Sequence, residues 1–244
     1  PEALGDNLPL NGFEKPLYGI DEPAPADGDT PIVGTVQGST VFFGLADIPE
    51  DQVQVPAGWD TKDSNMFLVG TPGSGTSTGL ASMALTLCLN TPPDQFDMLV
   101  LDLGPGSLAP LKNLPHVSAY VGPGEGAKER QTRFLRHLMV ELERRRSNPT
   151  NARKLIILID GYGTLRDEFM EYTGTDYLGA FHRVYSEGPA LGMHFMMATS
   201  RLKGIPAVVS DVTQQRWLFH LSDSYDYTTY RIRGTDIPAA VPGR

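Results

Sequence analysis

Cysteine is almost missing from this 244-residue chain, Cys88 being the one thiol. A single cysteine excludes an internal disulfide framework and makes a reducing compartment the natural expectation. Cys88 itself lies in an apolar stretch and reads as a small buried hydrophobe. Positive charge is also short. Twenty Lys and Arg face 29 Asp and Glu, a formal net charge of −9, so the chain is a poor electrostatic match for a nucleic-acid backbone. Long hydrophobic runs are absent. The longest apolar run, Leu155 to Ile159, falls far below the ~20 residues of a membrane-spanning helix and has the length of a buried strand. No secretory leader is legible. The five histidines show no metal-ligand spacing with Cys, Asp or Glu, and His116, His182, His194 and His220 read as structural. No Ser-His-Asp arrangement can be argued from their order.

The length suffices for one large domain with a substantial core. The chain opens on Pro1 and closes on Pro242-Gly243-Arg244, which reads as a module cut from a longer polypeptide. Residues 1–39 are expected to be a linker and extension, with Pro and Asp concentrated in 21–31. Residues 40–244 are expected to form the domain. Ile32–Val36 and Thr40–Leu45 suggest a hairpin about Gln37-Gly38-Ser39. From residue 65 onward, short apolar strands alternate with helices. The strands are expected at Met66–Val69, Met98–Leu103, Val117–Val121, Leu155–Asp160, His194–Thr199 and Trp217–Leu221. The clearest helices are expected at Glu125–Arg146 and Thr175–Glu187. This alternation predicts an α/β fold with a mostly parallel central sheet and helices on both faces.

One loop carries the strongest signal. Gly70-Thr71-Pro72-Gly73-Ser74-Gly75-Thr76-Ser77-Thr78 has the frame of a phosphate-binding P-loop, G-x-x-x-x-G-K-S/T, with Thr76 where the lysine belongs. A strand-like run precedes it, and Gly79 to Leu89 has helical character after it. The glycines let backbone N–H groups wrap a phosphate, and the following helix adds its free N–H groups and partial positive charge. Ser77 occupies the place of the hydroxyl that contacts Mg²⁺. Thr76 cannot supply the lysine's charge on the β- and γ-phosphates.

Other residues bear on the same site. Leu155 to Asp160 is an apolar strand ending in the aspartate that, beside a P-loop, binds Mg²⁺. A glutamate usually follows to polarise the attacking water; here Gly161-Tyr162-Gly163 follows, and the general-base position is empty. Asp167 and Glu168 read as surface charges on a helix. Asp102 stands at a strand end before Gly104-Pro105-Gly106. Two readings stay open there: a role near the phosphates, or a turn-initiating carboxylate. Thr199 and Ser200 end another strand, and either senses a γ-phosphate or caps the strand. Lys128 to Arg146 carries many arginines, but Glu141 and Glu143 are interleaved and favour a solvated helix face.

Taken together, these segments resemble the FtsK/SpoIIIE-type ATPase modules of EccC, the motor of type VII (ESX) secretion systems. Gly44-Leu45-Ala46-Asp47-Ile48-Pro49-Glu50-Asp51-Gln52 is similar to their lead-in. Leu101 to Leu108 followed by Leu114-Pro115-His116-Val117 is similar to their Asp-Gly-Gly-x-Leu…Leu-Pro-His-Val signature. Gly192-Met193-His194, Leu221-Ser222-Asp223 and Pro242-Gly243-Arg244 complete the likeness, which runs from residue 40 to the end.

The resemblance implies a RecA/FtsK-like P-loop NTPase fold. It also implies a cytoplasmic location within a membrane-anchored bacterial complex, tandem modules in one polypeptide and a ring, hexameric in the family. Its candidate nucleotide site is Gly70, Gly73, Ser74, Gly75, Thr76, Ser77, Thr78 and Asp160, with Ser77 and Asp160 on Mg²⁺ and with ATP binding weak or absent. Departures at Thr76 and Gly161 suggest a degenerate later module, the second rather than the third, acting in regulation or in docking of WXG-type exported proteins. Two alternatives stand beside this. An active motor would take its missing groups from elsewhere, with Lys62 and Lys203 as candidates. A DNA-translocase relative would not suit the acidic charge.

Overall fold

The central strands sit in an apolar environment on both sides, which is why their sequences are nearly continuous in Val, Ile, Leu and Met. The computed structural model describes residues 32–48, 52–62, 65–148, 153–170, 176–201 and 205–229, with Ile232 and Ile237. Lys203, the linker-like 21–31 and the closing Pro-Gly-Arg lie outside the described residues.

Three strands come first: β1 (Thr35–Gln37), β2 (Thr40–Ile48) and β3 (Val53–Asp60) form an antiparallel sheet in that order. The hairpin expected from sequence is there. The third strand, β3, is not legible in the sequence, because Pro56 argues against a strand interior; β3 is an edge strand, where proline is tolerated. β1, which precedes residue 40, pairs with β2.

The principal sheet has six strands. They are β4 (Asn65–Val69), β5 (Phe96–Asp102), β6 (Val117–Val121), β7 (Lys154–Asp160), β8 (Met193–Thr199) and β9 (Thr213–Leu218), ordered β6-β5-β7-β8-β4-β9. Every neighbouring pair is parallel. Five strands fall where the sequence placed them. β9 lies earlier than the expected Trp217–Leu221, although Phe219 N still donates to Val69 O at 2.8 Å and extends the pairing beyond it.

The helices are α1 (Thr76–Asn90), α2 (Ala127–Ser147), α3 (Tyr162–Met170), α4 (Tyr177–Glu187), and the short α5 (Ala207–Ser210) and α6 (Ser224–Thr229). Alternate residues of each strand face opposite sides. On one side Leu99, Ile157, Ile159, Phe195 and Met197 meet Phe134, Leu138, Leu165 and Phe181 of α2, α3 and α4. On the other, Met66, Leu68, Val100, Ile156 and Met196 meet Leu80, Met83 and Leu87 of α1, with Val41, Phe43 and Trp59 from the small sheet. Phe43 stacks on Trp217 with ring centroids 4.5 Å apart. The Gln215 amide accepts from Asp60 N and donates to Asp60 O, joining the two sheets.

The end of α2 is fastened by a buried guanidinium. Arg145 is 3% exposed. It pairs with Glu141 and donates to the carbonyls of Leu191, Gly192 and Arg153. Glu141 also takes two hydrogen bonds from Arg144. Its carboxyl is held down at about 2, first by Arg144 and then by Arg145, against the opposing effect of burial. A depressed carboxylate stabilises the fold above its unfolded value, near 4.5, and the gain is lost as pH falls toward 2.

Arg145→Ala should therefore cost about 3 kcal/mol in urea denaturation, since three carbonyls and a carboxylate lose their donor. Glu141→Gln should flatten the fall in stability between pH 4.5 and 2 by about 2 kcal/mol, read as melting temperature against pH; an unchanged acid limb would overturn this assignment.

Candidate functional site

The parallel register brings the carboxyl ends of β4, β7 and β8 together, and the loops leaving them enclose a cavity of about 670 Å³. That size suits a small-molecule site. The loop after β4 is pinned on both sides. Gly70 N donates to Thr199 O at 3.0 Å, and Thr71 donates to His220 O through both its N–H and its hydroxyl. Gly73 and Gly75 have φ of 83° and 107°, which lets the backbone curl into the concavity a phosphate needs. No side chain caps α1, whose first N–H groups have no intrahelical acceptor and lie at the cavity wall.

Of the residues expected at a nucleotide site, Gly70, Gly73, Gly75, Thr76, Ser77, Thr78 and Asp160 all line this cavity. Ser74 does not. Its N–H is committed to Thr71 O, and its buried hydroxyl lies against Gly70, where an added Cβ would come within 2.3 Å of it.

Asp160 ends β7 and is 6% exposed. Its carboxyl is pushed up, chiefly by burial, with a hydrogen bond from Ser77 opposing and the Asp102 charge adding. Oδ2 is buried and has no hydrogen-bond partner among the described residues. A carboxylate that lines a cavity, keeps one oxygen unpaired and stands beside a hydroxyl is a donor set that suits a hard divalent cation.

Gly161 follows with φ 93°. A Cβ built there would meet Leu103 Cβ at 3.3 Å. The general-base position is thus vacant in side chain, and its backbone is set in a conformation that a glutamate adopts only under strain.

Asp102 resolves in favour of the turn. Its Oδ1 accepts from Gly104 N at 3.1 Å, and its Oδ2 from Leu108 N at 2.9 Å and Tyr120 Oη at 3.2 Å. It therefore shapes the loop whose Leu103, Gly104, Pro105 and Ser107 line the cavity. Thr199 and Ser200 both reach the cavity; the Thr199 hydroxyl donates to Arg201 O at 3.3 Å.

Lys62 does not reach it. It sits ahead of β4, at the amino-terminal edge of the sheet, whereas the loop leaves the carboxyl edge, about 16 Å away along a five-residue strand. Sequence reasoning passed over Tyr162, Thr164, Arg166 and Arg201, which also line the cavity. Arg166 needed the α3 helix to turn it inward. Arg201 was legible as the residue right after Thr199-Ser200.

The other candidates behave as structural groups. Cys88 is partly buried, and burial pushes its thiol up to about 12. His116 Nε2 bonds Thr91 O at 2.7 Å, and His182 bonds the Tyr162 hydroxyl at 3.0 Å. His194 is pushed down to about 4, mainly by burial. Among the described residues, no cluster of three His, Cys, Asp or Glu could hold a metal. No described helix is long and apolar enough to cross a membrane. On α2, Arg133, Arg144, Arg145 and Arg146 each pair with a glutamate of the same helix.

Comparison with known proteins agrees with this geometry. The chain is 27% identical over 202 residues to the type VII secretion system protein EssC of Staphylococcus aureus (strain MRSA252), covering 76% of this chain and 13% of that protein. It is 26% identical over 255 residues to the ESX-4 secretion system protein EccC4 of Mycobacterium tuberculosis, covering 95% and 19%. The chain thus spans only a small part of these relatives. Thermomonospora curvata EccC (ATPases 2 and 3), solved with a signal sequence peptide, shares the fold with a TM-score of 0.73 at 22% identity, covering 84% of this chain and 40% of that one. Residues 40–215 match the FtsK/SpoIIIE family, and with its parallel sheet, glycine loop and strand-end aspartate the chain belongs to that family.

Proposed function

We propose that this chain is a nucleotide-holding but non-hydrolysing module of a type VII secretion motor, serving regulation or the docking of exported proteins. The observation that carries the reading is the pairing of a retained cradle with two absent catalytic groups. The loop glycines, the α1 amino end, Ser77 and Asp160 converge on one cavity. Thr76 stands where the cation belongs, and Gly161 at φ 93° stands where the base belongs.

ATP with Mg²⁺ would bring a triphosphate and its neutralising cation to this cradle. Ser77 and Asp160 would hold the metal through hydroxyl and carboxylate oxygens. The backbone amides around Gly75 to Thr78 would face the phosphates. Of the carboxylates that line the cavity, Asp160 would be committed to the metal and Asp167 is ion-paired to Arg166. Losing one electrostatic group from such a site costs on the order of 10²–10³ in rate, so losing two leaves little turnover.

Docking is supported by the company the chain keeps, since an EccC containing ATPases 2 and 3 was solved with a signal sequence peptide. By this reading the module lies on the cytoplasmic side of a membrane complex, among tandem ATPase modules that assemble into a ring. Residues 40–244, extended backward to include β1, are the module, the second in the series. A DNA-translocating role is disfavoured by the net charge of −9 and the glutamate-paired arginines of α2.

In a phosphate-release assay the chain should show no ATP hydrolysis above background with Mg²⁺; robust turnover abolished by Asp160→Ala would sink the reading. The double substitution Thr76→Lys with Gly161→Glu should restore little turnover, because the left-handed backbone at residue 161 and the neighbouring Leu103 hold a glutamate away from its usual position. Gly161→Glu alone should lower stability by about 1–2 kcal/mol in denaturant titration, because a side chain is forced onto a left-handed backbone.

A further inference from the structure

We propose that Arg201 supplies the cationic phosphate contact that Thr76 cannot, reaching the terminal phosphate of a bound nucleoside triphosphate from the β8 side of the cavity. The inference rests on the reading above that the cavity holds a nucleotide, and it identifies what recognises the phosphate charge there.

The strand order places the residue. β8 lies between β4, which leads into the glycine loop, and β7, which ends in Asp160. The chain leaving β8 therefore emerges between the two halves of the site. Its backbone is fixed on each flank. Gly161 N donates to Ala198 O at 3.1 Å, Gly70 N donates to Thr199 O at 3.0 Å, and the Thr199 hydroxyl bonds Arg201 O at 3.3 Å. Arg201 is held at the mouth, exposed and lining the cavity.

Charge singles it out. Among the described residues, two cations line the cavity, Arg166 and Arg201. Arg166 is bound to Asp167 at 2.6 Å. Arg201 makes no ion pair among the described residues. The cavity otherwise presents carboxylates, Asp160 and Asp167, and an anionic ligand needs a positive group to offset them. A second observation points to the ligand: Asp160 lines the same cavity and its buried Oδ2 has no hydrogen-bond partner among the described residues, which suits a metal-bound phosphate.

Approach direction then sets the selectivity. A P-loop lysine contacts the β- and γ-phosphates from within the loop. A guanidinium on the facing strand meets the outermost phosphate and can engage two of its oxygens. The site should therefore prefer a triphosphate to a diphosphate through Arg201.

The test titrates this chain, with Mg²⁺, against fluorescent N-methylanthraniloyl ATP and the matching ADP, for wild type, Arg201→Ala and Arg201→Lys. Wild type should bind the triphosphate more tightly. Arg201→Ala should weaken the triphosphate about tenfold or more and the diphosphate less than about twofold, with Arg201→Lys between. Because Arg201 is exposed, both variants should melt with the wild type. Equal loss for both nucleotides, no loss for either, or a wild type without preference overturns the assignment of Arg201. A wild type that binds neither nucleotide overturns the nucleotide reading itself, before any variant is compared.

Discussion

One backbone hydrogen bond holds the site's architecture in place. Gly70 N donates to Thr199 O at 3.0 Å, where β4 and β8 both finish. The N–H of a buried turn must find an acceptor or cost free energy comparable to a lost bond. Here the acceptor is the end of the neighbouring parallel strand. The glycine loop is therefore tied to β8 before it curls, and Gly161 N is tied to the same strand through Ala198 O. β8 acts as the spine that spaces the loop from Asp160. Because the register of a parallel sheet is strongly specified when both faces are buried, this spacing is set by the core rather than by the loop.

The core in turn explains why Asp160 behaves differently from Asp102, its partner in register across β5 and β7. Both carboxylates are nearly inaccessible. Asp102 accepts three hydrogen bonds and fastens a loop. Asp160 keeps an oxygen without a donor, and burial raises its pKa. An arrangement that spends one aspartate on structure and leaves the next unsatisfied stores the capacity to take up positive charge.

Much of this was legible in the chain itself. Strands such as Leu155–Asp160 declare themselves because a doubly covered parallel strand must be apolar throughout. The glycine loop and its strand-end aspartate follow from spacing. What escaped was tertiary. Pro56 hid β3, because only its position at an edge makes proline acceptable. Ser74 belonged to the motif on paper but turns inward against Gly70. The outcome for Asp102 depended on which donors the fold delivered, Leu108 N and Tyr120 Oη among them. The positive φ at Gly161 is a backbone property that spacing does not encode.

Helix α1 has a further consequence. It starts in the glycine loop at one pole of the sheet and ends at Asn90 at the other, a rod about 22 Å long. There the Asn90 amide donates to Gly34 O at 2.9 Å, as well as to Thr86 O within the helix. Gly34 immediately precedes the first strand. The helix whose amino end faces the cavity is thus bonded at its far end to the segment by which the chain arrives at the fold. A displacement of α1 along its axis at one pole would be felt at Gly34, and through it at β1, at the other. One helix thus joins the wall of the cavity to the small antiparallel sheet at the opposite edge of the fold.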